Sequence, residues 1–450
     1  MKDEKIKEEI CTIIGGKEII IDKKYYNETL KTIRIKIGTL LKTDNVSFLF
    51  GAGASKDAGG FSIKTIPRSI EQLMIASVVD EEIVEPDWIK LFYDTINILI
   101  KGSYSFSNRK EEIKDLENNF SEIPINLEDY LSHLYMWLSS IDNIANNIKI
   151  CLDSDNDILI NKENIKELIK KIISIYSSLL NLPSEGKKDA LDIYQRFIKK
   201  ILTRPLNLRR ANIFSLNNDT LVEQAADAEG ALLVDGFVGN IRRIFRPESY
   251  NLDFYFPAQT TEGKVHRFDR ALHLYKLHGS ITWHRCEQNW GNPFGLYASF
   301  NGQNNSEDDI MIYPTPLKYG QALGLPYSEL FRRFGNAIVQ QQSVLITIGY
   351  GFGDEHVNAI IRQAFAIPSF TLIIVDPNPN SDFVDKIKKL NDERVWIIAG
   401  EEIGTFNGFV QELLPDLREE EIDIKVKDTY KKLMPEEQNL LQSEEDINVE

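Results

Sequence analysis

The sequence has few cysteines, no long apolar run and no excess of positive charge. Its three cysteines, Cys11, Cys151 and Cys286, are far apart in the 450-residue chain, so they form neither a disulfide framework nor a zinc ribbon of two Cys-x-x-Cys pairs. No run of about twenty apolar residues is present, although a transmembrane helix needs one, and the N-terminus lacks the apolar core of a signal peptide. We therefore expect a soluble, cytoplasmic protein without a structural metal.

The charge balance is acidic. Lys and Arg together number 52 against 68 Asp and Glu, which gives a net charge of −16. This argues against broad adhesion to nucleic-acid phosphates or anionic lipid, so we expect neither direct nucleic-acid binding nor membrane binding. A 42% hydrophobic content in a chain of this length is enough for two or three domain cores.

One short stretch organises the chain. The apolar run from Val46 to Phe50 leads without a polar linker into a turn of small residues, namely Gly51, Ala52, Gly53, Ala54 and Ser55. This pattern predicts a buried strand followed by a turn whose uncovered amides approach a phosphate. A tight turn without a ligand is the alternative, because Lys56 stands where the dinucleotide fingerprint has its third glycine.

The spacing of apolar residues divides the chain into four segments. Residues 1–60 hold a lead-in and the first strand, residues 61–204 are helical in pattern, residues 205–417 alternate strands with helices, and residues 418–450 form an acidic tail. Strands alternating with helices indicate parallel crossovers. The predicted fold is therefore α/β, a Rossmann-like parallel sheet with helices on both faces, plus a large inserted all-helical subdomain.

Chemically useful residues follow five predicted strands. They are Gly51 to Ser55, Asn217 to Asp219, His278 with Gly279, the second glycine-rich turn Gly349 to Asp354, and Asp376. The carboxyl ends of parallel strands lie at one edge of a sheet, where ligands of open α/β sheets bind. This set suits a dinucleotide beside a reacting centre.

These motifs resemble the sirtuin-like NAD⁺-consuming domains, and within them the NADases of bacterial antiphage defence. Four segments carry the resemblance in the family's order: Gly-Ala-Gly-Ala-Ser with Ala-Gly-Gly, Ser215 to Glu223, Lys276 to Trp283, and Ile348 to His356. The resemblance covers Val46 to Gly60 and about Ile213 to Asn378. The chain departs from sirtuin deacylases by lacking their zinc ribbon, and Asn218 stands where the family usually has an aromatic residue.

The resemblance implies an NAD⁺ glycohydrolase that releases nicotinamide and ADP-ribose and acts by NAD⁺ depletion in abortive infection. Asn217 would hold water and ribose, His278 would be the base, and Asp219 would orient the site. NAD⁺, the substrate, would be bound by Gly51, Ala52, Gly53, Ala54, Ser55, Gly349, Tyr350, Gly351, Asp354 and Asp376. Regulation would come from homo-oligomerisation, from a partner such as a HerA-type helicase or a short Argonaute, or from a phage trigger.

Other interpretations remain open from the residues alone. The enzyme could be an NAD-dependent protein deacylase or ADP-ribosyltransferase, or the chain could be a non-catalytic scaffold that binds NAD or ADP-ribose. His278 could be a satisfied histidine at a strand end, and Asp219 is a good helix cap by type. A metal site among the neighbouring histidines is disfavoured, since His273 and His278 are an odd number of residues apart and so face opposite sides of a strand.

Overall fold

A computed structural model describes residues 10–21, 26–62, 65–80, 85–114, 123–144, 147–153, 156–257, 265–299, 309–311 and 326–418. The predicted acidic tail beyond Arg418 lies outside these residues. None of the described helices has both the length and the apolar character that crossing a bilayer requires.

Twelve α-helices are described, with three short turns of other helical type. The helices are α1 (Tyr26–Leu41), α2 (Ile66–Asp80), α3 (Asp87–Ile100), α4 (Phe106–Lys114), α5 (Leu127–Ile144), α6 (Lys162–Leu179), α7 (Ala190–Ile201), α8 (Leu221–Ala228), α9 (Tyr327–Ile338), α10 (Glu355–Ala364), α11 (Asp382–Leu390) and α12 (Phe406–Gly408). The short turns are the 3₁₀ segments Ala52–Ser55 and Pro247–Asn251 and the π segment Phe409–Leu413.

Eighteen strands accompany them in the described chain. They are β1 (Ile10–Ile14), β2 (Lys17–Ile21), β3 (Asn45–Phe50), β4 (Asn147–Asp153), β5 (Asn156–Asn161), β6 (Asn212–Ser215), β7 (Leu232–Val234), β8 (Phe237–Val238), β9 (Arg243–Phe245), β10 (Tyr255–Pro257), β11 (Val265–Arg267), β12 (Ala271–Lys276), β13 (Gly279–Arg285), β14 (Leu296–Ala298), β15 (Asp309–Met311), β16 (Ser343–Ile348), β17 (Thr371–Val375) and β18 (Val395–Ile398).

Nine strands form the central sheet in the order β2-β1-β18-β17-β16-β3-β6-β12-β7. The seven strands from β18 to β7 run parallel, and β1 and β2 add an antiparallel edge. All six residues of β16 are buried, as expected of a parallel strand that is covered on both faces. The predicted Rossmann-like parallel sheet is confirmed.

Helices cover both faces of this sheet. Phe48 packs with α1, α7 and α8 on one face, and the next residue, Leu49, packs with α9, α10 and α11 on the other, because neighbouring side chains of a strand alternate. Helix α7 belongs to the first of these cores through Phe197. The helical insertion therefore has a core of its own only from Ile66 to Tyr176.

The inserted subdomain packs α2, α3, α5 and α6 around a third core and contains a buried ion pair between Glu71 and Arg109 at 2.7 Å. It is not all-helical, since β4 and β5 form an antiparallel hairpin within it. The sequence shows why this expectation failed. Apolar residues at Ile148, Ile150 and Leu152 alternate with a period of two, which favours a strand.

A second, antiparallel sheet was not predicted. Its strands lie in the order β15-β13-β14-β9-β8, and β10 pairs separately with β11. Trp283 on β13 packs against Phe237 and Phe245 at ring distances of 5.1 and 6.2 Å. This second sheet, which includes the strand that follows His278, thereby extends the protein core.

Candidate active site

Five strand ends lie side by side at one edge of the central sheet. The order β17-β16-β3-β6-β12 is continuous, so the segments after Val375, Ile348, Phe50, Ser215 and Lys276 are neighbours. The chain runs outward in opposite directions from β3 and β16, which makes their junction a topological switch point. The predicted convergence of these segments on one edge of the sheet is confirmed.

The side chain of Asn217 is held in one orientation. Its Nδ2 donates to the backbone oxygen of Gly51 and to Oγ of Ser55, both at 2.9 Å. Because a carbonyl oxygen can only accept a hydrogen bond, the nitrogen of the Asn217 amide, and not its oxygen, must face Gly51. Both hydrogens are thus used, while Oδ1 accepts no hydrogen bond from any residue that the structure describes. Oδ1 of Asn217 is therefore an unused acceptor among the described residues.

Ser55 fixes Asn217 and Asp219 together. Its Oγ donates to Oδ2 of Asp219 at 2.6 Å, and Oδ1 of Asp219 accepts from the amide of Leu221 at 3.1 Å. Both residues are buried. Tyr194 adds a bond from its hydroxyl to the oxygen of Ala54 at 3.0 Å, and burial raises the pKa of that tyrosine well above its ordinary value. Asp219 therefore accepts a hydrogen bond from the first residue of α8 and another from Ser55.

A buried lysine supports the same loop from β12. Lys276 Nζ donates to the backbone oxygen of Asp219 and lies 3.5 Å from Oε1 of Glu223. Burial raises the pKa of Glu223, and the charge of Lys276 opposes that shift. The loop from Asn217 to Asp219 is thus held by side chains from three segments.

His278 is paired with an acid from another strand end. Its Nε2 lies 3.1 Å from Oδ2 of Asp354. The other carboxylate oxygen of Asp354 accepts from the amides of His356 and Val357 at 3.0 and 3.3 Å, which caps α10. A neutral imidazole that donates from Nε2 carries its lone pair on Nδ1. Sequence reasoning placed Asp354 among the NAD⁺ ligands, and its contact with His278 was missed.

The two glycine-rich turns pack backbone against backbone. The amides of Gly51 and Gly53 donate to Ile348 and Gly349 oxygens at 3.0 and 2.9 Å. A Cβ on Gly349, whose φ is +60°, would lie 2.4 Å from the amide nitrogen of Ala54. These amides are therefore not uncovered, in contrast to the expectation, because the glycines serve contact between the turns.

The second turn has open backbone further along. A Cβ built on Gly351 or Gly353 would meet no described atom within 4 Å, so internal packing gives no reason for glycine there. A ligand that approaches the backbone closely is a reason.

The remaining predicted ligands lie around this edge. Tyr350 is buried, and its hydroxyl lies 3.0 Å from the oxygen of Asp354 and from Oδ1 of Asn358, so its side chain braces the turn. Asp376 follows β17, accepts from the amide of Asn378 at 2.8 Å, and has a pKa raised by burial. Their contact with NAD⁺ stays a prediction.

The described residues contain no cluster of three or more His, Cys, Asp or Glu side chains that could hold a metal. His273 on β12 is half-buried, and this burial lowers its pKa to about 4. A groove of about 680 Å³ lies between α9 and α10, lined in part by Phe331 and His356. The ring of Phe331 also lies near His278, with ring centroids 6.2 Å apart.

Residues 211–397 match the family model of the SIR2-like domain. The chain contains a SIR2-like domain. This domain includes Asn217, His278, Asp354 and Asp376 and ends within β18, whereas the turn at Gly51 precedes it. No curated protein matches the chain. A SIR2-like domain with this edge fits an NAD-using enzyme.

Proposed function

We propose that the chain is an NAD⁺ glycohydrolase that converts NAD⁺ and water to nicotinamide and ADP-ribose. One observation carries the proposal: the neighbouring ends of β6 and β12 hold an acceptor, Asn217 Oδ1, and an imidazole, His278, that an acid orients. The SIR2-like match supports NAD⁺ as the substrate.

The chemistry needs little acid catalysis. The bond between the ribose carbon and the cationic pyridinium breaks with its electron pair going to nitrogen, so nicotinamide leaves as a neutral molecule. A water oxygen then bonds to the sugar carbon and loses a proton. We assign Asn217 Oδ1 to hold that water or a ribose hydroxyl as an acceptor, and His278 Nδ1 to take the proton. Asp354 stabilises the resulting imidazolium.

The dinucleotide would lie along the second glycine-rich turn. Gly351 and Gly353 leave room for it, and Asp376 would accept hydrogen bonds from the ribose hydroxyls. Gly51, Gly53 and Ser55 would act by shaping Asn217.

We further propose that this activity serves as the effector of an antiphage system in the cytoplasm. Such an enzyme must be silent in healthy cells, so self-assembly, a partner such as a HerA-type helicase or a short Argonaute, or a phage component would switch it on. Support comes from the helical insertion, which packs directly against the loops of the candidate site. The proposal involves neither a membrane nor direct nucleic-acid binding.

Nucleotide mass spectrometry of cells tests the function. Cells would express the wild type, Asn217→Ala, His278→Ala or the control His266→Ala, each with and without the genomic neighbour. His266 is an exposed histidine on β11. We expect nicotinamide and ADP-ribose to accumulate with the wild type and the control only. Unchanged NAD⁺ in every strain would favour a scaffold, and products that require a peptide or protein acceptor would favour a deacylase or transferase.

A further inference from the structure

Asn218 lies between the two predicted catalytic positions of its loop and is buried, with 5% of its surface exposed. Its Nδ2 donates to the backbone oxygens of His278 and Gly279 at 2.7 and 3.2 Å. Its own backbone oxygen accepts from the amide of Ile281 at 3.1 Å. Three bonds thus join this residue to the segment that carries His278.

The other end of the same amide faces the helical insertion. The hydroxyl of Tyr176, on α6, lies 3.5 Å from Oδ1 of Asn218. Tyr176 is part of the insertion's own core, and Ile281 packs against that core as well. The side chain of Asn218 therefore joins the loop after β6, to which it belongs, to the turn after β12 and to helix α6.

We propose that Asn218 is a positioning residue that fixes His278 relative to Asn217 and joins both to α6. This inference rests on the proposed function for its catalytic consequence. Asn217 is held by Ser55 and Gly51. The backbone of Asn218, the next residue, is therefore held in place at its N-terminal side. The side-chain amide of Asn218 then fixes the position of the turn at His278 and Gly279, and Gly279 has a φ of +82°.

Loss of this amide has a definite effect. Two buried carbonyl oxygens lose their shared donor, and the turn relaxes to find other partners. A displacement of about 1 Å between catalytic groups costs roughly a hundredfold in rate. A movement of α6 would be transmitted to His278 through Tyr176 and Asn218. An activator that acts on the insertion would therefore change kcat more than the affinity for NAD⁺.

The kinetic test uses Asn218→Leu, which keeps the size of the side chain and removes the amide. The matched control is Asn292→Leu, since buried Asn292 also donates to a backbone oxygen, that of Leu296 at 3.2 Å, but in the loop before β14. For the activated protein we expect kcat to fall about 10- to 100-fold in Asn218→Leu, with KM within about twofold. Tyr176→Phe should lower kcat less, and Asn292→Leu should retain it. Wild-type kcat in folded Asn218→Leu would overturn the inference.

A second readout does not need activity. The chain has six histidines, so ring C–H signals in NMR spectra of histidine-labelled protein can be assigned with His278→Ala. We expect Asn218→Leu to shift the His278 signal and to leave those of His133 and His266 in place. If the wild type cleaves no NAD⁺ even when it is expressed with its genomic neighbour, and this shift is still seen, the proposed function fails and the positioning role stands. An unshifted His278 signal overturns the role even in an active enzyme. Asn218→Ser replaces the leucine variant if that variant does not fold.

Discussion

His278 Nε2 lies 3.1 Å from Asp354 Oδ2, although 76 residues separate the two in the chain. The contact links the end of β12 to the N-terminus of α10, because Asp354 also caps that helix. Because its bonds to the helix hold the Asp354 carboxylate in place, the contact with this carboxylate restricts the orientation of the His278 ring. The pair gives His278 a defined tautomer.

Asp354→Asn tests this pair. Asparagine is as good an N-cap as aspartate, so we expect the stability of the variant to change by less than about 1 kcal/mol. The charge that stabilises the imidazolium is lost, and kcat should fall at least about tenfold at similar KM. Steady-state kinetics with NAD⁺ and a urea titration measure the two effects. An unchanged kcat would mean that the acid does not act on His278.

Ser55→Ala tests how Asn217 is oriented. The substitution removes an acceptor for Asn217 and a donor to Asp219. Ser343→Ala is the matched control, since Ser343 is buried and its hydroxyl bonds to two backbone oxygens at the far end of β16. Each variant should lose about 1 kcal/mol of stability. Only Ser55→Ala should reduce kcat, and an equal loss of activity in both variants would refute the role of Ser55.

Gly53→Ala and Gly351→Ala should behave differently. A Cβ on Gly53 would lie 2.7 Å from Cα of Gly349, whereas one on Gly351 meets no described atom within 4 Å. We therefore expect Gly53→Ala to destabilise the protein by about 1–3 kcal/mol and Gly351→Ala to leave its melting temperature unchanged. Gly351→Ala should raise KM for NAD⁺ if the dinucleotide lies there. A normal KM would remove Gly351 from the binding surface.

The stability of the protein should depend on pH through His273. Burial lowers its pKa from 6.5 to about 4, so between these values the unfolded chain binds the proton that the folded chain does not. Stability therefore falls as pH drops through this window. At pH 5 the loss relative to pH 7.5 is about 2 kcal/mol from this group. Urea titrations at both pH values of the wild type and His273→Gln should show a smaller difference for the variant. Equal differences would exclude His273 as the cause.

The sequence predicts the main sheet well, for a physical reason. The parallel strands are mostly apolar runs ended by glycine or polar residues, as at Ser343–Ile348 and Gly349. The second sheet escaped prediction because strands such as Phe237–Val238 and Arg243–Phe245 are only two or three residues long. A segment of two or three residues is too short to show an alternation of apolar and polar side chains.

The sequence predicts which segments meet at this edge of the sheet, but only some of the contacts between their side chains. The resemblance to sirtuin-like domains suggests Asn217 and His278 as site residues, and the parallel strands place both at one edge of the sheet. The bond between Ser55 and Asp219 spans 164 residues, and a single sequence carries no signal for such a pairing. Contact between Ser55 and NAD⁺ stays a prediction, and the structure adds hydrogen bonds from its hydroxyl to Asp219 and from Asn217 to its hydroxyl.

The most direct test of the central claim is a crystal structure of His278→Ala with NAD⁺ bound. The account predicts that the nicotinamide ribose lies between residue 278 and Asn217, with Oδ1 of Asn217 about 3 Å from a ribose hydroxyl or from a water facing the sugar carbon. NAD⁺ bound instead in the groove beside Phe331 and His356, with Asn217 touching no part of it, would contradict the account.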